Sequence, residues 1–191
     1  MKIYCKDQNS KFNQHLNFLK TKEVIDYDQA QLKEKTTTIT VDTHRNFDQL
    51  DLDFLFDYQI FPDNMMSFKT QWAQEKRKMR VNDTIVQQIY LPPNRIFSKK
   101  IIIGVRINEI IDQSDKKGFS YQTLEGHVEK GISTFTVEQL DNSIIFKIHT
   151  YSTPGNILTK ILEPFFTIPY QKFSTTSALK HVKKQLENNS K

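Results

Sequence analysis

The hydrophobic positions of this 191-residue chain follow two different spacings. In the first part, residues 36–43 are β-branched and alternate between two faces, which predicts a strand. Residues 47–58 then carry hydrophobic side chains at helical spacing, and Pro62 ends the helix that they predict. Asp63 is placed to cap a second helix that runs to Met79.

From residue 83 onward the spacing is close to two, which predicts a series of antiparallel strands. The predicted strands are Thr84 to Leu91, Lys100 to Ile111, Lys117 to Leu124, Ile132 to Leu140 and Ser143 to Tyr151. The longest is apolar on both faces at Ile101, Ile102 and Ile103, so we expect it to lie centrally and to be covered on both sides. Asp141 and Asn142 predict a tight turn between the last two strands.

A long helical region is predicted to follow the strands. Thr153 and Pro154 are a typical start, because the hydroxyl caps the helix and proline suits the first helical position. The region runs to about Asn188, and Pro164 and Pro169 are expected to kink it. Its first half carries a wide apolar face formed by Ile157, Ile161, Leu162, Phe165, Phe166 and Ile168.

This order of elements predicts an α+β fold with a curved antiparallel sheet of about six strands, two short helices and a long kinked C-terminal helix on the concave face. This order resembles the helix-grip arrangement of the Bet v 1-like superfamily, also called START or SRPBCC. We assign residues 36–191 to this domain and residues 1–35 to an N-terminal extension that packs on it, with one helical turn at His15 to Leu19. Such proteins often keep a cavity between helix and sheet, where an apolar ligand binds.

The glycines mark the most informative segment of the chain. Three of the five, Gly118, Gly126 and Gly131, lie in the run GFSYQTLEGHVEKG at residues 118–131. A short alternating strand is followed here by a turn into the next strand, so the run predicts a rigid β-hairpin. We expect a positive φ at Gly126.

The run resembles the GFAYGTLPGHPERGE signature of the DUF1990 family, also called UPF0548. Three later segments are similar to motifs of that family in the same order: Phe135 to Glu138 resembles RFVVE, Tyr151 to Pro154 resembles AFSRP, and Leu162, Pro164 and Gln171 resemble LGGPVARLLQRR. The ordered match spans about residues 104–186.

The chain departs from the family pattern at three positions of the hairpin. Gln122, Val128 and Ile132 stand where the family has Gly, Pro and Glu, and the TYPEVG segment near the family's start has no convincing partner here. The resemblance implies the helix-grip fold and brings no biochemical activity with it, because the family is uncharacterised.

Composition narrows the classes of partner. The net charge of +5 and the pI of about 9.1 permit nucleic acid or an anionic membrane as partner, but the lysines are scattered and arginine is scarce, so we expect neither. The denser basic groups fall on predicted helices as solvated faces: Lys76, Arg77, Lys78 and Arg80, and then Lys180, Lys183 and Lys184. The single cysteine, Cys5, excludes an internal disulfide and a cysteine-rich metal site.

No apolar stretch reaches the length of a membrane span, and the first residues contain no apolar signal region. We therefore expect a cytoplasmic monomer or homodimer that holds no metal and no cofactor.

His127 and Glu129 have the H-x-E spacing that zinc deaminases use, but those enzymes also need a P-C-x-x-C segment. A general acid–base role for the two residues is chemically reasonable. The favoured interpretation is that His127 orders the turn from Gly126 to Gly131 through its own backbone contacts. Gly118, Gly126, His127, Glu129 and Gly131 are accordingly assigned to a structural motif.

The candidate ligand-binding residues come from neighbouring strands and from the helix. His149 and Tyr151 share one face of the last strand with Tyr121 beside them; on the concave face they would line a pocket, and on the convex face they would be surface residues. Alternation alone leaves both possibilities open. Ile161 and Phe165 supply apolar walls, and Arg106 would anchor an anion if it points inward or form a surface ion pair if it points outward.

Three functions remain open from the sequence. The leading hypothesis is a small-molecule-binding protein that holds an apolar or amphipathic ligand between sheet and helix. The second is an enzyme of the cyclase or hydrolase kind that uses His127, His149 or Tyr151. The third is a protein-interaction module whose basic helix end binds an acidic partner.

Overall fold

The structure of the protein, a computed structural model, describes residues 2–154 and 168–188. Within these ranges the strands are β1 (Lys2–Tyr4), β2 (Lys33–Val41), β3 (Met66–Thr70), β4 (Thr84–Leu91), β5 (Lys99–Asp112), β6 (Lys116–Thr123), β7 (Glu129–Leu140) and β8 (Ser143–Pro154). The helices are α1 (Phe12–Lys20), α2 (Asp53–Phe56), α3 (Gln71–Gln74) and α4 (Ile168–Asn188), and 3-10 turns occur at Asn9–Lys11, Gln29–Gln31 and Phe47–Gln49.

All strands belong to one antiparallel sheet with the order β2-β8-β7-β6-β5-β4-β3. The short strand β1 pairs with the first part of β5, where Lys2 lies opposite Ile102. On the same side of β5, β6 pairs only from Val105 onward, so β1 occupies the stretch of backbone that β6 leaves open. This pairing satisfies backbone groups that would otherwise form an exposed edge.

The face of the sheet that packs against α4 is called the inner face here. Alternation along β8 turns Ile144, Phe146 and Ile148 to this side, and all three are buried. They belong to the main core together with residues of α4, namely Ala178, Leu179, Val182 and Leu186. The long helix therefore covers the inner face of a curved sheet, as the predicted fold class requires.

The opposite side, the outer face, carries a second core. Phe12, Leu16 and Leu19 of α1 pack against Val86 of β4 and Ile102 of β5, and all of these side chains are buried. The contact is close at Gly104, where an added Cβ would lie 2.8 Å from a methyl carbon of Leu19. The sheet is thus covered on both faces at β4 and β5, which agrees with the apolar pattern at residues 101–103.

The predicted fold class is confirmed, and the predicted strands from residue 84 onward agree with β4 to β8 within three residues at each end. The sheet has eight strands rather than about six, because β1 and β3 were not predicted. The helical turn expected at residues 15–19 lies within α1.

The prediction of two helices between residues 47 and 79 is wrong in extent. The first reduces to the 3-10 turn Phe47–Gln49 and the single turn α2. In place of the second, β3 pairs with β4, and only α3 is helical, with Ala73 N–H donating to the hydroxyl of Thr70. Met66, Trp72 and Met79 are six and seven residues apart, a spacing that fits a helix and also a short strand followed by a turn. Spacing alone therefore assigned this segment to the wrong element.

The basic residues expected on that helix follow α3 in a loop instead. Arg77 donates to both carboxylate oxygens of the buried Asp83, at 2.5 and 2.7 Å, and this ion pair positions the entry into β4.

The start of the C-terminal helix also differs from its prediction. Thr153 and Pro154 lie at the end of β8, where Lys130 and Glu129 of β7 pair with them, so they do not cap a helix at that point. Pro169 is the second residue of α4 as described. The predicted kink at Pro164 and the apolar face from Ile157 to Phe166 lie outside the described residues.

The glycine run folds as β6, a turn and the start of β7. Gly126 has a φ of 83°, the positive value expected of it, and Gly131 has a φ of 147°. Gly118 is required for a different reason: an added Cβ would lie 2.0 Å from the carbonyl oxygen of Phe135 on β7. Gly126 and Gly131 therefore serve backbone conformation. Gly131 also lets adjacent strands approach, as Gly118 does, because an added Cβ there would lie 1.9 Å from the carbonyl oxygen of Tyr151 on β8.

The close approach at Gly118 predicts a large stability difference between two alanine substitutions. Gly118→Ala should cost at least about 2 kcal/mol, since its Cβ meets backbone of β7 that can move only if the two strands separate. Gly104→Ala should cost about 1 kcal/mol or less, since its Cβ meets only the methyl ends of the Leu19 and Leu124 side chains. Urea unfolding followed by circular dichroism measures both; equal losses would contradict the assignment.

Candidate functional site

A cavity of about 430 Å³ lies between the inner face and α4. It sits at the end of the sheet where β4, β6 and β8 finish and where β2, β5 and β7 begin. Its described apolar walls are Phe61, Met65, Met66, Ile89, Ile103, Val128, Phe135 and Ile148. Volume and lining are of the kind that small-molecule sites have.

The cavity exists because small side chains occupy this end of the inner face. Along β8 the inward positions change from Phe146 and Ile148 to Thr150 and Ser152. Across the sheet Thr150 pairs with Ser133 of β7, so two small residues meet where the rest of the core has large ones. Ser174 and Thr175 of α4 also line the cavity, and the space between helix and sheet stays unfilled.

A buried cluster of uncharged polar groups lies at the closed end of this cavity. The amide nitrogen of Gln87 donates to the hydroxyl of Tyr58, and both residues are almost fully buried. The hydroxyl of Tyr121, which lines the cavity, interacts with the side chains of Tyr58 and Ser133, which lower its pKa against the larger effect of burial. Burial raises the pKa of both tyrosines, so both hydroxyls are protonated at neutral pH.

Aromatic rings hold this cluster in place. The ring of Tyr121 lies 5.3 Å from that of Phe135 and 6.2 Å from that of Tyr58, measured between centroids. The ring of Phe119, in the core, stacks on that of Phe135 with 5.5 Å between their centroids. These distances are within the range of favourable aromatic pairs, so the polar groups project from a packed aromatic wall.

The turn of the glycine run contributes His127 and Glu129 to the cavity lining. The Nδ1 atom of His127 lies 3.0 Å from the backbone nitrogen of Glu129 and 2.9 Å from its carbonyl oxygen, so the ring is tied to the backbone of the turn in either tautomer. Burial lowers the pKa of His127 to about 4, so the imidazole is neutral at physiological pH. This contact corresponds to the ordering role expected for His127.

The mouth of the cavity is charged. Lys33, Glu34 and Lys35 at the start of β2 reach it, and all three are exposed. The cavity therefore runs from an ionic, solvated entrance to an uncharged, buried end.

Of the predicted ligand-binding residues, Tyr121 lines the cavity, and His149 and Tyr151 do not. These two alternate with Ile148 and Thr150 along β8, so they lie on the outer face. There His149 Nε2 lies 2.8 Å from a carboxylate oxygen of Glu34. The rings of His149 and Tyr151 pack with their centroids 4.8 Å apart. The contacts are those of a surface cluster.

Arg106 also lies on the outer face. It donates to the carbonyl oxygens of Leu19 and Lys20 at 3.3 and 3.2 Å, which are the last residues of α1. A cation at this point satisfies carbonyls that have no partner within the helix and interacts favourably with the helix dipole. Arg106 thus attaches the N-terminal helix to β5 and is remote from the cavity.

The remaining predicted walls, Ile161 and Phe165, lie outside the described residues. Sequence reasoning missed Tyr58, Gln87 and Ser133. A signal for Gln87 was present in the sequence. It lies two residues from Ile85 and from Ile89 on the same strand, so it shares their inward face and is a buried amide that needs a hydrogen-bond partner. Tyr58 carried no comparable signal, since its position depends on the irregular segment before β3.

In the part of the chain that the structure describes, no three His, Cys, Asp or Glu side chains are grouped so that they could hold a metal ion. Within the same residues, no helix combines the length and the apolar character needed to cross a membrane.

Comparison with known families gives a match along most of the chain. The family described as a domain of unknown function, DUF1990, matches residues 31–180. The N-terminal segment with β1 and α1 precedes the matched region. No match to the chain is found among curated proteins.

Solved structures show the same fold at low sequence identity. The ginseng major latex-like protein 151 of Panax ginseng aligns with a TM-score of 0.54 and 12% identity, over 81% of this chain and 97% of the ginseng chain. The KanY protein aligns with a TM-score of 0.52 and 10% identity, over 82% of this chain and 98% of that chain. These similarities establish the Bet v 1-like architecture.

The lowered pKa of His127 predicts a pH-dependent stability. His127 takes up a proton near pH 6.5 in the unfolded chain but only near pH 4 in the folded chain. The free energy of unfolding therefore falls as the pH decreases between these values. His127→Asn keeps an acceptor for the Glu129 N–H and removes the titration. We expect the wild type to lose about 2 kcal/mol more than this variant between about pH 7 and pH 4.5.

Urea unfolding at a series of pH values measures this difference. His15 and His181 also have lowered pKa values, chiefly from burial, but they are present in both proteins and cancel. Parallel pH profiles of the two proteins would show that His127 is not held neutral in the folded chain.

The contacts of Arg106 predict a loss of stability without a loss of binding in the cavity. Arg106→Gln should cost about 1–2 kcal/mol, because the carbonyls at the end of α1 lose a charged donor. Arg80→Gln, at an exposed position, is the matched control and should change little. Unfolding and ligand titration of both variants provide the test, and a binding defect confined to Arg106→Gln would refute the placement.

Proposed function

The chain belongs to the DUF1990 family, and we propose that it binds an apolar or amphipathic small molecule in the cavity between the inner face and α4. The observation that carries the proposal is the cavity itself: it has a volume of about 430 Å³, its lining surface is mostly apolar, and uncharged polar groups converge at its closed end. Ligand sites of proteins combine these features, because apolar area provides affinity and sparse polar groups fix orientation.

Apolar burial is the expected source of affinity. A ligand that loses roughly 300 Å² of apolar surface gains on the order of 7 kcal/mol before the entropic cost of association is subtracted. Affinities in the micromolar range are therefore expected for ligands that fill the cavity.

The chemistry of the lining favours binding over catalysis. His127 is the histidine among the described lining residues, and its Nδ1 is engaged with the backbone of the turn. With a pKa of about 4 it is a weak general base at neutral pH. His149 and Tyr151, the other residues considered for an enzyme, lie on the outer face.

The interaction-module alternative rests on the basic end of α4. Lys183 there is 2.7 Å from a carboxylate oxygen of Asp42 and 3.4 Å from one of Glu187. These ion pairs use part of the positive charge within the chain, which weakens the case for an acidic partner at this surface.

Cavity filling tests the proposal with two neighbouring substitutions on β8. Thr150→Trp places an indole in the cavity, whereas His149→Trp places the same group on the outer face. The neutral dye N-phenyl-1-naphthylamine should bind the wild type with saturation. We expect its Kd to rise at least about tenfold in Thr150→Trp, and to stay within about twofold in His149→Trp.

Dye fluorescence excited outside the tryptophan band measures binding, and circular dichroism verifies that both variants fold. Absence of saturable binding to the wild type, or equal weakening by both substitutions, would overturn the proposal.

A further inference from the structure

The closed end of the cavity contains uncharged hydrogen-bonding groups from three strands and one loop. Gln87 comes from β4, Tyr121 from β6, Ser133 from β7, and Tyr58 from the segment after α2. Each hydroxyl has one donor and two acceptor positions, so Tyr121 and Ser133 retain hydrogen-bonding capacity beyond their interaction with one another. The cluster can therefore donate a hydrogen bond to a ligand group that reaches it, or accept one from that group.

The charges around this cluster are unfavourable for an anion. Among the described lining residues the lysines are Lys33 and Lys35, both exposed at the mouth. The acidic residue near the cluster is Glu129, whose negative charge contributes to the raised pKa of Tyr121. His127, on the same side, is neutral at physiological pH. A buried carboxylate would thus lie near a like charge, and no described lining residue at this end offers a cation to pair with it, so its desolvation would be costly.

The walls next to the cluster are aromatic. Phe61 lies 6.2 Å from Phe135, and Tyr121 lies 5.3 Å from the same ring, measured between centroids. A flat ring inserted between such side chains gains area burial and edge or stacking contacts together.

We infer that the ligand of this cavity inserts a ring that carries an uncharged hydroxyl or carbonyl group, that Tyr121 and Ser133 hold this group at the closed end, and that a carboxylate is rejected there. The inference rests on the proposed binding function and names its ligand class. A charged group at the opposite end of the ligand is compatible with this orientation, because Lys33 and Lys35 stand at the mouth.

Three probes with the same ring system test the inference: naphthalene, 2-naphthol and 2-naphthoate. Each is used to displace N-phenyl-1-naphthylamine at neutral pH, where the naphthol is uncharged and the naphthoate is an anion. In the wild type we expect naphthol to bind about tenfold more tightly than naphthalene, as one buried hydrogen bond allows. Naphthoate should bind more weakly than naphthol.

Two tyrosine substitutions assign the effect to the cluster. Tyr121→Phe should remove the advantage of naphthol over naphthalene and leave naphthalene itself unchanged. Tyr151→Phe is the matched control on the outer face and should preserve the ratio. Naphthalene binding by each variant shows that its cavity is intact. The ranking of the three probes by affinity is measured on the wild type, so it does not require either variant to fold.

The outcomes separate the two proposals. Naphthoate that binds as tightly as naphthol, or a naphthol advantage that survives Tyr121→Phe, overturns the ligand class while the binding function stands. If neither the dye nor any probe binds the wild type, the binding function fails, and the inference fails with it.

Discussion

The architecture depends on the burial of β5 on both of its faces. Strand alternation sends Val105 and Ile107 into the main core and Ile103 to the cavity wall on the inner face, and it sends Ile102 and Gly104 toward α1. Two separate sets of apolar contacts are therefore fixed by one strand, and a register shift of one residue would exchange them. The positions of the cavity, of Arg106 and of the N-terminal helix all follow from which face each residue occupies.

The cavity is a local decrease in side-chain size within that framework. Ser133 and Thr150 pair across β7 and β8 where the next inward pair, Phe135 and Ile148, fills the core. The buried hydroxyls and the amide of Gln87 satisfy one another around this space, so the polar groups carry little desolvation penalty before a ligand arrives. A preformed cluster of this kind gives orientation to a ligand whose affinity comes from the surrounding rings.

The sequence predicted the fold from residue 84 onward because each strand there keeps a regular period-two pattern between clear turns. It failed between residues 47 and 79, where short elements of three to five residues leave too few positions to distinguish a strand from a helix. For the site, alternation placed Tyr151 with His149 correctly on one face but could not say which face that was. The inward position of Gln87 followed from its neighbours, whereas Tyr58 reaches the cluster only through tertiary packing.

The N-terminal segment on the outer face has a consequence for relatives of this protein. Val86 and Ile102 are hydrophobic and pack against α1 on the outer face, and this helix precedes the region shared with the family. A family member that lacks such a helix would expose both positions to water and should carry polar residues there. We therefore expect hydrophobic residues at these two strand positions to be gained and lost together with the N-terminal helix as the family diverges. These changes should be independent of substitutions on the inner face that alter the ligand preference.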